Sequence, residues 1–194
     1  MELRSASVEE LFADAGALLD GHFLLTSGRH AGRYLEKFFV LQHPALAVEV
    51  CRRFAALLAP YGPTLVVGPT TGGVLLAYET ARQLGGGVRG IFAERVPDGG
   101  RRLRRGWPLD PEERVVIVDD ILTTGLSLLE TRDAIRAAGL EPMATAVMVD
   151  RSVEALDAGM PLLSLGRIEV PSWLPEACPL CTSGSAPVKP GSSA

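Results

Sequence analysis

The stretch Val115-Val-Ile-Val-Asp119-Asp120-Ile121-Leu122-Thr123-Thr124-Gly125-Leu126-Ser127 places two adjacent carboxylates directly after four apolar residues. Four such residues make a buried strand, and acids at its end need compensating partners once water is removed. Their chemistry suits sugar hydroxyls, or a metal held through water. Thr-Thr-Gly-Leu-Ser then opens a helix. Its free N–H groups and hydroxyls form an anion cup, which the helix dipole reinforces. A diol reader beside a phosphate cup is what a ribose 5-phosphate requires. The bland alternative is an Asp pair capping a turn, with Thr and Ser as N-caps. The length of the whole string favours a site.

Other candidates are weaker one by one. Gly68-Pro69-Thr70-Thr71-Gly72-Gly73 is a tight loop whose glycines let backbone approach a ligand closely. Asp150-Arg151 follows a second apolar run, and the planar fork of Arg151 suits a carboxylate. Its alternative is a surface ion pair with Asp150 or Glu154. Almost every cation is arginine; the only lysines are Lys37 and Lys189. Between Glu94 and Gly106 five arginines (95, 101, 102, 104, 105) face two acids, a local charge of +3 in a chain of net charge −4. His22, His30 and His43 have no metal-ligand spacing, which favours structural or surface roles. Cys178-Pro-Leu-Cys181 is half of a zinc site lacking its second pair, which a dimer axis could supply. Cys51 reads as core, and Trp107 and Trp173 as packing residues.

The elements that must position these groups follow from the pattern. Ser7-Val-Glu-Glu10 is a capping box, and Leu11, Phe12, Ala15, Leu18 and Leu19 share a helical face up to Gly21. Residues 23–26 and 34–41 are rich in β formers, with a polar stretch between them, which predicts a hairpin or short irregular lobe. Pro44 opens a helix to about Ala59. Strand, turn and helix then alternate. Strands are predicted at 64–67, 88–93, 114–118, 143–149 and 162–168, and helices at 74–84, 126–138 and 153–158. Such alternation implies an α/β fold, a parallel sheet with helices on both faces. Ligands bind such sheets beyond the C-terminal strand ends, where loops 68–73, 119–127 and 150–151 lie. The Pro-, Gly- and Ser-rich residues from Pro171 to Ala194 read as an irregular tail.

The 194 residues, 47% hydrophobic and 22% charged, fit one globular domain with a full core. The negative net charge argues against a nucleic-acid partner. No apolar run reaches about 18 residues, and the N-terminus has no basic-then-apolar leader pattern, so no membrane contact is expected. Three cysteines make no disulfide framework, which points to a reducing, cytoplasmic setting.

The 115–127 string resembles the 5-phosphoribosyl 1-diphosphate (PRPP) motif of the type I phosphoribosyltransferases: four apolar residues, two acids, then a Thr/Gly-rich loop. A Walker A loop would need a Gly-Lys-Ser/Thr ending, and a Rossmann fingerprint G-x-G-x-x-G; neither is present. Gly21-His-Phe-Leu-Leu-Thr-Ser-Gly-Arg-His30, Val67 to Gly73, Tyr78 to Gly85 and Val149-Asp-Arg151 are similar, in order, to stretches of the orotate phosphoribosyltransferases. The resemblance spans nearly the whole chain. It implies a type I phosphoribosyltransferase fold: one domain over 1–194, with a small N-terminal hood lobe (1–43), an α/β core (44–170) and the tail (171–194). It implies transfer of phosphoribosyl from PRPP to orotate, giving orotidine 5'-monophosphate and pyrophosphate for UMP biosynthesis. It also implies dependence on Mg2+, held through PRPP and water rather than directly by the protein. The partner expected is a second copy of the chain, in a homodimer whose active sites share a mobile loop.

Carried over residue by residue, the resemblance gives Asp119 and Asp120 the ribose hydroxyls and a catalytic role. Ile121, Leu122 and the residues from Thr123 through Thr124, Gly125 and Leu126 to Ser127 bind PRPP, the last five holding its 5-phosphate. Thr70, Thr71 and Gly72 face pyrophosphate. The resemblance leaves the arginine loop open residue by residue; the expectation is that Arg95 and one or more of Arg101 to Arg105, Arg104 among them, clamp the pyrophosphate, in this chain or across a dimer. Thr123 and Arg151 contact orotate. Lys37, near in the hairpin, is expected to substitute there for the lysine that Thr26 replaces, with Arg29, Tyr34 and Leu35 as the roof. Three departures stand out. Thr71 and Thr26 occupy places where relatives often have lysine, and the 94–106 loop lacks the usual Lys-x-x-Lys-x-His. Backbone N–H groups and arginines must then supply that binding. Two other functions stay open: transfer to a purine, xanthine or uracil, and a non-catalytic sensor of PRPP or a nucleotide.

Overall fold

The computed structural model describes residues 6–25 and 27–190. Helix α1 (Val8–Asp14) carries the expected capping box: the Ser7 hydroxyl accepts from the Glu10 N–H at 3.2 Å, and the Glu10 carboxylate accepts from the Ser7 N–H at 2.6 Å. The helix stops well before Gly21, because Gly16 takes a left-handed conformation (φ 62°). Residues 18–24 instead form strand β1 (Leu18–Leu24), antiparallel to β2 (His30–Leu35). The predicted strand at 34–41 is also corrected. β2 ends at Leu35, and the Glu36 carboxylate caps a short helix α2 (Lys37–Leu41) by accepting from the Phe38 N–H at 3.1 Å.

The core opens with α3 (Pro44–Leu58) and continues as β3 (Leu65–Pro69), α4 (Gly72–Leu84), β4 (Arg89–Arg95), β5 (Arg101–Arg102), β6 (Val115–Leu122), α5 (Leu126–Ala137), β7 (Pro142–Asp150) and β8 (Leu162–Ser164). The sheet order is β5-β4-β3-β6-β7-β8, parallel throughout except for the β4–β5 hairpin. Side chains alternate across it. Val66, Val116 and Val118 pack with Phe12, Phe54 and Leu76 on one face; Leu65, Val67, Val115 and Ile117 pack with Ala134 and Ile135 of α5 on the other. Burial on both faces is why β6 reads as an unbroken apolar run.

The chain leaves β3 for β4 on one side and returns to β6 on the other. The crevice between the C-terminal ends of β3 and β6 is therefore the topological switch point, where such sheets bind ligands.

The helix predicted at 153–158 is absent. The Asp150 carboxylate accepts from the Ser152 N–H (2.8 Å) and hydroxyl (2.7 Å), a local turn that competes with helix formation. The tail is not irregular throughout. It carries β9 (Ser172–Trp173), which pairs with β2, a 3-10 turn at Pro175–Ala177 and α6 (Pro179–Thr182). Val188 then bonds β1, its N–H donating to the His22 carbonyl (2.8 Å) and its carbonyl accepting from the Leu24 N–H (2.9 Å).

Candidate active site

Asp119 and Asp120 sit at the C-terminal end of β6, each about 5% exposed. Asp119 Oδ1 accepts from the Asp120 N–H at 2.8 Å, and Oδ2 accepts from the Ser127 hydroxyl at 2.6 Å. Asp120 Oδ1 accepts from the Ile121 N–H at 2.7 Å, and Lys37 Nζ lies 3.0 Å from its carboxylate. Burial and then the Asp120 charge push the Asp119 carboxyl up to about 7, against the pull of Ser127 and the Asp120 N–H. Burial works against the Lys37 charge, but the attraction of Asp120 prevails and holds its pKa above the usual lysine value.

The pair opens onto a cavity of about 740 Å³. Gly125 caps α5 in a left-handed conformation (φ 77°), and Leu156 leaves no room for a side chain there. Thr123 through Ser127 line the cavity, and the first N–H groups of α5 have no intrahelical acceptor. Across the crevice, Thr70 and Thr71 line it from the end of β3. Gly72 does not line it. A Cβ at Gly72 would come within 2.4 Å of Asp120 Oδ2, so this glycine makes room for the acid pair instead. Leu122 is also off the wall, buried against Leu128, Val147 and Ala158.

Tyr34, Leu35, Lys37 and Arg151 also line the cavity, Lys37 beside Asp120. The Arg151 Nε is buried with no hydrogen-bond partner. Asp150, which could have neutralised Arg151, is 3.5 Å from Arg167 instead. Burial lowers the Arg151 pKa, so its charge is under-compensated in the free protein. Arg29 is not in the roof: it donates to the Ser172 hydroxyl (2.9 Å) and carbonyl (2.5 Å). Thr26 lies outside the described residues.

The arginine-rich segment is a hairpin in which Arg95 pairs with Arg101, and both line this chain's own cavity. Arg101 is buried and donates to the Thr70 carbonyl (3.2 Å), the Thr70 hydroxyl (3.1 Å) and the Ala93 carbonyl (3.2 Å). Burial and then the charge of Arg95 lower its pKa. Arg104 is exposed and off the cavity wall. The wall also includes Leu24, Leu25, Ser27, Lys189 and Pro190, none of them in the predicted site. The one available signal was Lys189, half of the chain's lysine content.

Two of the three histidines differ from expectation. His22 and His30 meet Cys178 and Cys181, and their four ligand atoms lie within 4.8 Å of one another. The half-site therefore finds its second pair within the same chain.

Residues 40–169 match the phosphoribosyl transferase domain family. The orotate phosphoribosyltransferase of Pelotomaculum thermopropionicum is 47% identical over 182 residues, 94% of each chain. That of Heliobacterium modesticaldum is 47% identical over 187 residues, 95% of this chain and 96% of its own. Among solved structures, Mycobacterium tuberculosis H37Rv orotate phosphoribosyltransferase in complex with Fe(III) dicitrate gives a TM-score of 0.67 at 26% identity, covering 82% of this chain and 95% of that one. The same enzyme in complex with PRPP gives 0.63 at 24% identity, over 82% and 95%, a likeness of fold. The chain belongs to the phosphoribosyltransferase family, among the orotate phosphoribosyltransferases.

Proposed function

We propose that this protein transfers the 5-phosphoribosyl group from PRPP to orotate, releasing pyrophosphate and orotidine 5'-monophosphate. The observation that carries the reading is the under-compensated Arg151 guanidinium sharing one cavity with the Asp119–Asp120 pair and the α5 cup. A base with its own carboxylate supplies what Arg151 lacks; purines, xanthine and uracil do not.

Orotate N1 attacks the anomeric carbon while the bond to pyrophosphate breaks and its electron pair leaves with the diphosphate; the N1 proton passes to the departing diphosphate or to water. Positive charge develops on the ribose, which Asp119 and Asp120 grip through its hydroxyls and offset electrostatically. Thr123 to Ser127 hold the 5-phosphate at the α5 N-terminus. Thr70, Thr71, Arg95 and Arg101 receive the pyrophosphate. Thr123 and Arg151 orient orotate, with Tyr34 and Leu35 above it. Lys37 balances Asp120 until substrate arrives. Catalysis is positioning and charge placement, with no side-chain nucleophile.

The donor set fits Mg2+ carried by the substrate. The oxygens of Asp119 and Asp120 are hard donors, but both carboxylates already hold protein partners, so they would hold the metal through water. When bound, Mg2+ neutralises the diphosphate. Exposed apolar side chains on adjacent helices, Leu75 and Tyr78 of α4 and Phe38 and Phe39 of α2, support a homodimer. Among the described residues no helix is long and apolar enough to cross a membrane. We propose further that the enzyme is cytoplasmic and acts as one domain on small substrates.

The test is absorbance-monitored consumption of orotate with PRPP and Mg2+, run beside hypoxanthine, xanthine and uracil. Turnover confined to orotate is expected. Turnover of another base with orotate inert would overturn the reading, and PRPP binding without turnover of any base would favour the sensor.

A further inference from the structure

We infer that His22, His30, Cys178 and Cys181 bind a structural Zn2+ that clasps the C-terminal segment to the N-terminal hairpin. His22 Nε2 lies 2.9 Å from His30 Nδ1, 3.4 Å from Cys178 Sγ and 3.8 Å from Cys181 Sγ. Cys181 Sγ is 3.3 Å from His30 Nδ1. Tetrahedral zinc with ordinary bond lengths requires ligand atoms about 3.3–3.8 Å apart; these four separations lie within about 0.5 Å of that range and no pair in the cluster is wider than 4.8 Å. Both histidines and Cys178 are buried, and all three cysteines of the chain are free thiols.

The backbone is arranged for these contacts. The β1–β2 register slips between Asp20 and Phe23, and this bulge sets His22 on the same face as His30, with ring centroids 4.9 Å apart. Cys178 and Cys181 sit at either end of a Cys-x-x-Cys knuckle entering α6. His22 Nδ1 lies 2.9 Å from the Ser185 carbonyl, an acceptor that fixes the tautomer with its Nε2 lone pair toward the thiols. Two thiolates would cancel the charge of Zn2+, their protons passing to solvent on binding. Two sulfurs and two imidazoles in a closed tetrahedral set select zinc over the hard cations of phosphate chemistry.

The clasp has a job beyond stability. Just past the knuckle the chain bonds β1 through Val188, and Lys189 and Pro190 then join the cavity wall. Zinc would hold that strip in place. The metal assignment itself is independent of which base the enzyme uses.

Elemental analysis of protein from zinc-supplemented cells should find about one zinc per chain, and under about a tenth of that in Cys178→Ser/Cys181→Ser. Cys51→Ala should retain the metal, since Cys51 is buried elsewhere with its thiol pushed up to about 12. Because the double variant can misfold, exchange of wild-type protein into Co2+ gives an independent readout: thiolate-to-cobalt charge transfer with intense tetrahedral d–d bands. Amide hydrogen exchange across residues 172–190 should quicken on chelation while β6 stays protected. Wild-type protein that carries no zinc and shows no cobalt–thiolate band overturns the inference. So does full zinc occupancy in the double variant.

Discussion

Gly72→Ala tests the geometry of the acid pair without touching either acid. The new Cβ would fall 2.4 Å from Asp120 Oδ2, against a closest real approach of 3.0 Å, so the carboxylate must retreat by at least 0.6 Å. It cannot do so freely, because it is tied to the Ile121 N–H and to Lys37. A misplacement near 1 Å in a positioning site costs on the order of 100-fold in rate. A fall in kcat/KM for PRPP of about 10- to 100-fold is therefore expected, or about 1.4–2.7 kcal/mol of transition-state stabilisation. The assay is initial-rate orotate consumption across PRPP concentrations, with Tm measured in parallel to confirm folding. A folded Gly72→Ala enzyme with wild-type kcat/KM would refute the reasoning, since Asp120 would then tolerate displacement.

Arg151→Gln should raise the KM for orotate by about 10- to 150-fold, the worth of a charge-assisted hydrogen bond, and leave the KM for PRPP near its starting value; equal effects on both substrates would count against a base-binding role. Arg95→Ala should weaken PRPP use while Arg104→Ala stays within about twofold, because only the first lines the cavity; unaltered PRPP KM and kcat in Arg95→Ala would remove it from the clamp. Asp119 predicts a pH effect on stability. Its carboxyl is raised from 3.8 to about 7 on folding, so the protein without substrate has the full benefit of the protonated acid below about pH 4 and loses it as pH rises through 7. Asp119→Asn should therefore gain in unfolding free energy relative to wild type as pH rises from about 4 to 7, by up to about 4 kcal/mol in all; parallel stability–pH curves would contradict the raised value.

The acid pair and anion cup were legible because four consecutive apolar residues can be buried on both faces only in an inner strand. The ligand end of that strand is then fixed by chain direction. Arg101 could not be separated from its neighbours at 102, 104 and 105 by composition. Hairpin register, Arg95 opposite Arg101, decides which guanidinium turns inward. Leu18 and Leu19 read as helix because a short apolar run fits a helical face as well as a strand, whereas 23–24 read correctly as β; partnership with β2 settles the whole of β1. The His–Cys cluster was invisible for another reason: His22 and Cys178 are 156 positions apart, and only the hairpin and the returning tail bring them together.

The order in which the chain is made acquires meaning from the return of residues 189–190 to the cavity. The sheet, the acid pair and the phosphate cup all leave the ribosome before the strip that walls them in. A polypeptide halted after Ser185 would own every strand of the main sheet and still present a gap beside its reaction centre. Closure of the cavity thus waits on a segment made after every strand of the main sheet.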